Sequence, residues 1–222
     1  MMYLLTCEMI KFRHIAIEGP IKAGKTKLAE ILAERFKGRL ILDITDNPYL
    51  KDFYEEKEGA AFLAQLVFLV NRYHQQVQLF QRDLFKEIII CDYIFEKDKI
   101  YAYQTLTDDE LIVYEKIFNI LVERVPKPDL VIYLQISNET FIKRIKERGN
   151  EIEKNISERY LEDINEAFDY FFFHYKASPL LVIKADELDL DDESDIEDII
   201  IQIEHMTRGT QYYVPAKKNR KQ

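Results

Sequence analysis

Eight consecutive residues, Gly19-Pro20-Ile21-Lys22-Ala23-Gly24-Lys25-Thr26, constrain this chain more than any other stretch. Before them, residues 12–18 (FRHIAIE) are apolar, short and stopped by Gly19-Pro20, which predicts a buried strand. After them, Leu28, Ile31, Leu32 and Phe36 recur at helical spacing and predict a helix over 24–36. GxxxxGK[ST] between a strand and a helix is the context that a phosphate-binding loop requires. The glycines let successive backbone N–H groups turn inward, and the helix N-terminus adds a partial positive charge. Lys25 then reaches the β and γ phosphates of ATP, and the Thr26 hydroxyl sits on Mg²⁺. All eight residues are candidate ATP contacts. The competing reading is a chance glycine turn before a helix.

The remaining chain repeats the same alternation. Short apolar runs at 40–43, 87–91, 130–134 and 180–183 read as strands. Helical patterns fill 60–82, 95–103, 108–123, 139–148, 152–176 and 196–206, and Thr107 with Glu110 three residues on forms a capping-box signature. Continuous apolar strands alternating with helices mean a parallel sheet covered on both faces. The expected fold is therefore α/β: five parallel strands, helices on both faces and a helical lid. The expected division is an extension over 1–12, one domain over 13–206 and a basic tail over 207–222, with Lys217, Lys218, Arg220 and Lys221 in a solvated end. Met9 is a candidate alternative start.

With 222 residues the chain suits one domain with a full core. A net charge of −9 argues against nucleic acid as the main partner. No apolar run approaches the roughly 18 residues of a spanning helix, so no membrane partner is expected. Cys7 and Cys91 suggest neither a disulfide framework nor a metal site, and a reducing cytoplasm is the expected location.

Several separated motifs, IAIEGPIKAGKT, DNPYLKDFYEE, AAFLAQLVFLVNR, PDLVIYL, RIKERGNEIE and SERYLEDINEAFDYFFFHY, together resemble the deoxynucleoside kinase family over residues 13–175. The DYIFEKD segment, Asp92 to Asp98, resembles a bacterial branch of it. The resemblance implies transfer of the γ-phosphoryl group of ATP to the 5′-hydroxyl of a deoxynucleoside, a deoxypurine by preference, in nucleotide salvage. It also implies a homodimer, for which the apolar helix over 60–82 is a candidate surface. Asp43 stands where the family usually has a Glu that orients the hydroxyl and takes its proton; the competing reading is a loop Asp capping the backbone before Asp46-Asn47-Pro48. Tyr54 matches the sugar-contacting Tyr, Gln65 the base-reading Gln, Arg72 an Arg near the base, and Glu153 the lid Glu that closes on the sugar. Gln65 also admits a plain core hydrogen bond. Arg144 and Arg148, at i and i+4, share a helix face and can reach the transferring phosphoryl group; without the family match they read as a solvated face beside Glu147 and Glu151.

Three positions depart from that pattern. Lys22 replaces a loop glycine, and Asn150 stands where a further lid Arg is common. At strand three the family's acid–Arg pair is replaced by Cys91-Asp92-Tyr93, and neither Asp92 nor Tyr93 in the Arg position supplies the cation. Asp92 is a candidate Mg²⁺ ligand alongside Thr26. Lys97, near the usual place of an acid beside the base-reading Arg, is a candidate substrate contact and substitute cation. Two other readings remain open: a nucleoside monophosphate kinase, and a degenerate kinase that only binds nucleotide.

Overall fold

The computed structural model describes residues 10–81 and 87–216. Residues 1–9 of the expected extension, Arg82 at the end of the expected long helix, and the four basic residues between 217 and 221 lie outside the described residues. The chain runs β1 (His14–Glu18), α1 (Lys25–Arg35), β2 (Arg39–Ile41), α2 (Leu50–Tyr54), α3 (Ala60–Gln81), β3 (Ile89–Cys91), α4 (Lys97–Thr105) and α5 (Asp108–Val122). It continues β4 (Leu130–Gln135), α6 (Asn138–Arg148), α7 (Glu151–Lys154), α8 (Glu158–His174), β5 (Leu180–Lys184), α9 (Glu193–His205) and β6 (Thr210–Tyr213).

The strands form one parallel sheet in the order β2-β3-β1-β4-β5-β6. The doubly wound α/β class expected from the sequence is observed, with six strands rather than five. The sixth, TQYY, falls inside the segment expected to be tail. Its burial alternates exposed and half-buried, because it is an edge strand covered on one side only, so it lacks the apolar run that marks the others. The helical pattern over 152–176 is also divided: α7 ends at Lys154, and α8 restarts behind Ser157, whose side chain accepts the Tyr160 N–H.

Period-two alternation distributes the core. Ile15, Ile17, Ile132, Leu134, Leu181 and Ile183 face one layer with Leu28, Leu32, Phe141, Ile199 and Ile203. Ala16, Val131, Tyr133 and Val182 face the other, with Ile100, Ile164, Phe168 and Phe172. Tyr133 stacks on Phe172 with ring centroids 4.1 Å apart, an arrangement worth about 0.5–1.5 kcal/mol beyond area burial. A third cluster of Leu69, Phe95, Ala102, Tyr114 and Phe118 locks α3, α4 and α5 together. The Thr107–Glu110 capping box opens α5 as expected. No helix of the described residues is long and apolar enough to cross a membrane. β1 lies between β3 and β4, so the chain reverses its direction of winding there, and loops at the carboxyl ends of these strands open into a cleft.

Candidate active site

The cleft encloses about 1000 Å³ and is lined by the loop after β1, the ends of β2 and β3, α3, α4, the α6–α7 region and the segment after β5. On one wall the loop of residues 19–26 wraps tightly. Gly19 has φ 154°, and a Cβ there would meet the Leu134 carbonyl oxygen at 2.7 Å, so no other residue fits. Gly24 has φ 110° at the entry to α1. Lys22, where the family has glycine, does adopt a left-handed φ of 62°, a conformation costing an L-residue about 1–2 kcal/mol. Lys25 donates from Nζ to the carbonyls of Gly19 (2.7 Å) and Pro20 (3.0 Å), which folds the ammonium back over the loop. Burial, with repulsion from Lys97, pushes the Lys25 pKa down to about 8.

The opposite wall is an ion network. The Asp43 carboxylate, just past β2, accepts from Arg72 Nε at 2.7 Å, from a second nitrogen of the same guanidinium at 2.9 Å, and from Lys97 Nζ at 2.9 Å. Burial alone would push its pKa up, but Lys97 and Arg72 outweigh that and hold it well below the usual carboxylate range. Arg72 also pairs with Asp98, and its guanidinium lies over the Phe68 ring at 4.8 Å. Burial drives the Asp98 pKa up to about 6 against the pull of Arg72, and its Oδ2 has no hydrogen-bond partner among the described residues. Gln65, on the same face of α3 as Arg72, is buried, lines the cleft and donates weakly to Thr105 Oγ1 at 3.4 Å. Tyr54, at the end of α2, also lines the cleft, and burial and nearby Glu153 raise its pKa.

Between the walls stands Asp92. Its Oδ2 accepts from Thr26 Oγ1 at 2.6 Å and its Oδ1 from the Asp43 backbone N–H at 2.6 Å. A hydroxyl and a carboxylate meeting beside a phosphate loop form the hard-oxygen pair that Mg²⁺ takes, with phosphates and water completing its shell. No cluster of three or more His, Cys, Asp or Glu suited to a metal exists among the described residues.

The lid side is looser. Arg144 donates to the carbonyls of Lys22 (3.4 Å), Ala23 (3.1 Å) and Ala185 (2.8 Å), so it braces the phosphate loop itself. Burial and the neighbouring Arg148 lower its pKa. Arg148, one turn on, is exposed at the cleft and has no hydrogen bond or ion pair with a described residue. Asn150 and Glu153 cap α7 reciprocally: each backbone N–H donates to the other's side chain at 2.8 Å. Glu153 also meets Lys22 Nζ at 3.1 Å.

Every site residue expected from the sequence except Gly19 and Pro20 lines this one cleft, and those two hold Lys25 through their carbonyls. The acid beside Arg72 is Asp98, which sequence reasoning passed over, and Lys97 stands against Asp43 and Glu18. The signal was present, because Asp98 is a charged residue on the apolar side of a short helix. Glu18 was also missed: it is wholly buried and was read only as the end of a strand.

The deoxynucleoside kinase family model matches residues 15–208. A deoxyguanosine kinase of Bacillus subtilis is 41% identical over 152 residues, which span 68% of this chain and 73% of that protein. A deoxyadenosine/deoxycytidine kinase of the same organism is 30% identical over 206 residues, 89% of this chain and 94% of the relative. A solved structure of deoxyadenosine kinase from M. mycoides, with products dCMP and a flexible dCDP bound, superposes with a TM-score of 0.75 at 27% identity, covering 86% of this chain and 99% of that one.

Proposed function

The chain belongs to the deoxynucleoside kinase family, and from that premise we propose that it transfers the γ-phosphoryl group of ATP to the 5′-hydroxyl of a deoxypurine nucleoside. The observation that carries this reading is the Asp43 carboxylate, held by Arg72 and Lys97 within the same cleft as the phosphate loop. The 5′-hydroxyl donates to Asp43 and its oxygen attacks the γ-phosphorus. The new P–O bond forms as the bond to the β-phosphate oxygen breaks, the proton goes to Asp43, and ADP leaves. A strongly depressed carboxyl is a weak base, so orientation of the hydroxyl matters most until the base pulls Arg72 away.

Tyr54 and Glu153 hold the sugar, while Gln65, Arg72 and Asp98 present donors and acceptors to the base edge. Arg72 suits guanine O6 and N7, and the acceptors suit the adenine amino group. Lys97 supplies at Asp43 the cation that the family's strand-three Arg would give. Lys25, Arg144 and Arg148 face the phosphates. Thr26 and Asp92 would hold Mg²⁺, which when bound neutralises charge on the β and γ phosphates.

The active form is a homodimer in the reducing cytoplasm, where Cys91 stays a free thiol. Leu63 and Val70 of α3 and Ile112, Val113 and Ile120 of α5 are exposed on two packed helices and form the apolar face for a second copy. Sedimentation at micromolar concentration checks the dimer.

Transfer of labelled γ-phosphate from Mg-ATP to each of the four common deoxynucleosides, with their monophosphates as parallel acceptors, tests the activity. Label on deoxyguanosine or deoxyadenosine is expected. Label only on monophosphates makes the protein a monophosphate kinase, and ATP binding without transfer makes it a binding module.

A further inference from the structure

Glu18 ends β1 immediately before the phosphate loop and is 0% exposed. Its two oxygens are spent on two different loops. Oε1 accepts from the Gly19 N–H at 2.9 Å, and Oε2 accepts from the Ile94 N–H, past β3, at 3.1 Å. Lys25 Nζ and Lys97 Nζ each stand 4.0 Å from Oε1. Those ammonium groups belong to the phosphate loop and to α4, and the latter is the one that touches Asp43. A buried carboxylate is expensive, and it is retained where its charge and both lone-pair sets are matched. Here two backbone donors and two cations from the two walls of the cleft offset part of that cost, while burial still pushes the carboxyl pKa up.

We propose that Glu18 is a positioning residue for phosphoryl transfer, fixing the distance between the phosphate-loop lysine and the lysine that holds the catalytic carboxylate. The argument is geometric. Gly19 can approach Leu134 only with its present backbone, and Glu18 pins its N–H. Ile94 lies between Asp92, which holds Thr26 and the Asp43 backbone, and Lys97, which holds the Asp43 side chain. One carboxylate therefore sets the phosphate loop against the acceptor wall. It also holds two like charges, one from each wall, near a single carboxylate, where repulsion would otherwise part them. Remote displacements of about 1 Å cost about 10²-fold in rate.

The inference rests on the kinase reading, so the wild-type transfer assay is its control. Glu18→Gln keeps the shape and one acceptor but removes the charge and puts a donor against a backbone N–H; Glu18→Asp keeps the charge but shortens the reach. With Mg-ATP and whichever of deoxyguanosine or deoxyadenosine the wild type phosphorylates, Glu18→Gln is expected to lower kcat by about 10²-fold. KM for the nucleoside should stay within about threefold, because no nucleoside contact is touched. Glu18→Asp is expected to recover part of the rate. In a Lys97→Met background the Glu18→Gln loss should shrink to a few-fold, since the partner it positions is gone. A kcat within twofold of wild type in Glu18→Gln overturns the proposal. So does full additivity with Lys97→Met, or a loss accounted for by unfolding at the assay temperature while Glu18→Asp shows no recovery. If the wild type itself transfers nothing, it is the kinase reading that fails.

Discussion

The phosphate-loop wall of the cleft is held by backbone groups, whereas the acceptor wall is held by charged side chains that pair with one another. On the first, glycine conformations, carbonyls and a helix N-terminus make the shape, and Arg144 is tied to three carbonyls. On the second, Asp43, Arg72, Lys97 and Asp98 pair with one another. Backbone shape is nearly independent of what is bound. On the proposed reading the substrate opens that ion network, which couples substrate choice to catalysis on the acceptor side. That side is also where a single deletion leaves charges buried and unpaired.

That contrast can be broken most sharply at Arg72. Arg72→Ala leaves Asp43 and Asp98 facing one another without the guanidinium, and is expected to destabilise the fold by about 3–5 kcal/mol in urea titration at pH 7. A loss below 1 kcal/mol would mean that water compensates the pair and that the wall is not a network.

The next largest effect belongs to β1, whose carboxyl end bears Glu18 and whose start bears His14, packed with Nε2 3.4 Å from the Cys91 thiol. Burial pulls the His14 pKa down from 6.5 to about 4, against the nearby Asp129. The unfolded chain takes the proton first, so stability is lost as pH falls below about 6.5, and the loss is complete below about 4. That shift corresponds to about 3 kcal/mol. Between pH 7 and pH 4, His14→Gln should lose correspondingly less stability than wild type. Parallel curves would show that the imidazole is hydrated in the fold.

The smallest effect on stability is expected from the lid. Arg148→Ala should move stability by no more than about 0.5 kcal/mol, because the side chain is exposed and pairs with no described residue. Its kcat should nonetheless fall if it meets the transferring phosphoryl group. A stability loss as large as that of Arg72→Ala would erase the difference between the two walls.

The same contrast explains what the sequence made legible. The loop 19–26 is a contiguous motif whose geometry follows from glycine placement. Gln65 and Arg72 could be set on one face because helical periodicity relates them directly. Pairings across the fold carry no such periodicity. Asp98 meets Arg72 from a helix 26 positions away, and no periodicity relates the two. Glu18 reads as a strand terminus until Ile94, 76 positions on, is brought against it. β6 escaped for a different reason: an edge strand with one covered face needs no apolar run. Asn150, where the family often has a lid Arg, also caps α7 with Glu153, a pairing whose three-residue spacing was there to be read in the sequence.

The most direct test of the account is Asp43→Asn, measured for ATP binding and for single-turnover transfer to the preferred deoxynucleoside. The account predicts ATP affinity within a few-fold of wild type, since the phosphate loop is untouched, and a transfer rate lower by about 10²–10⁴-fold. Transfer at a wild-type rate would show that Asp43 is a structural partner of Arg72 and Lys97, and that the proton is taken elsewhere.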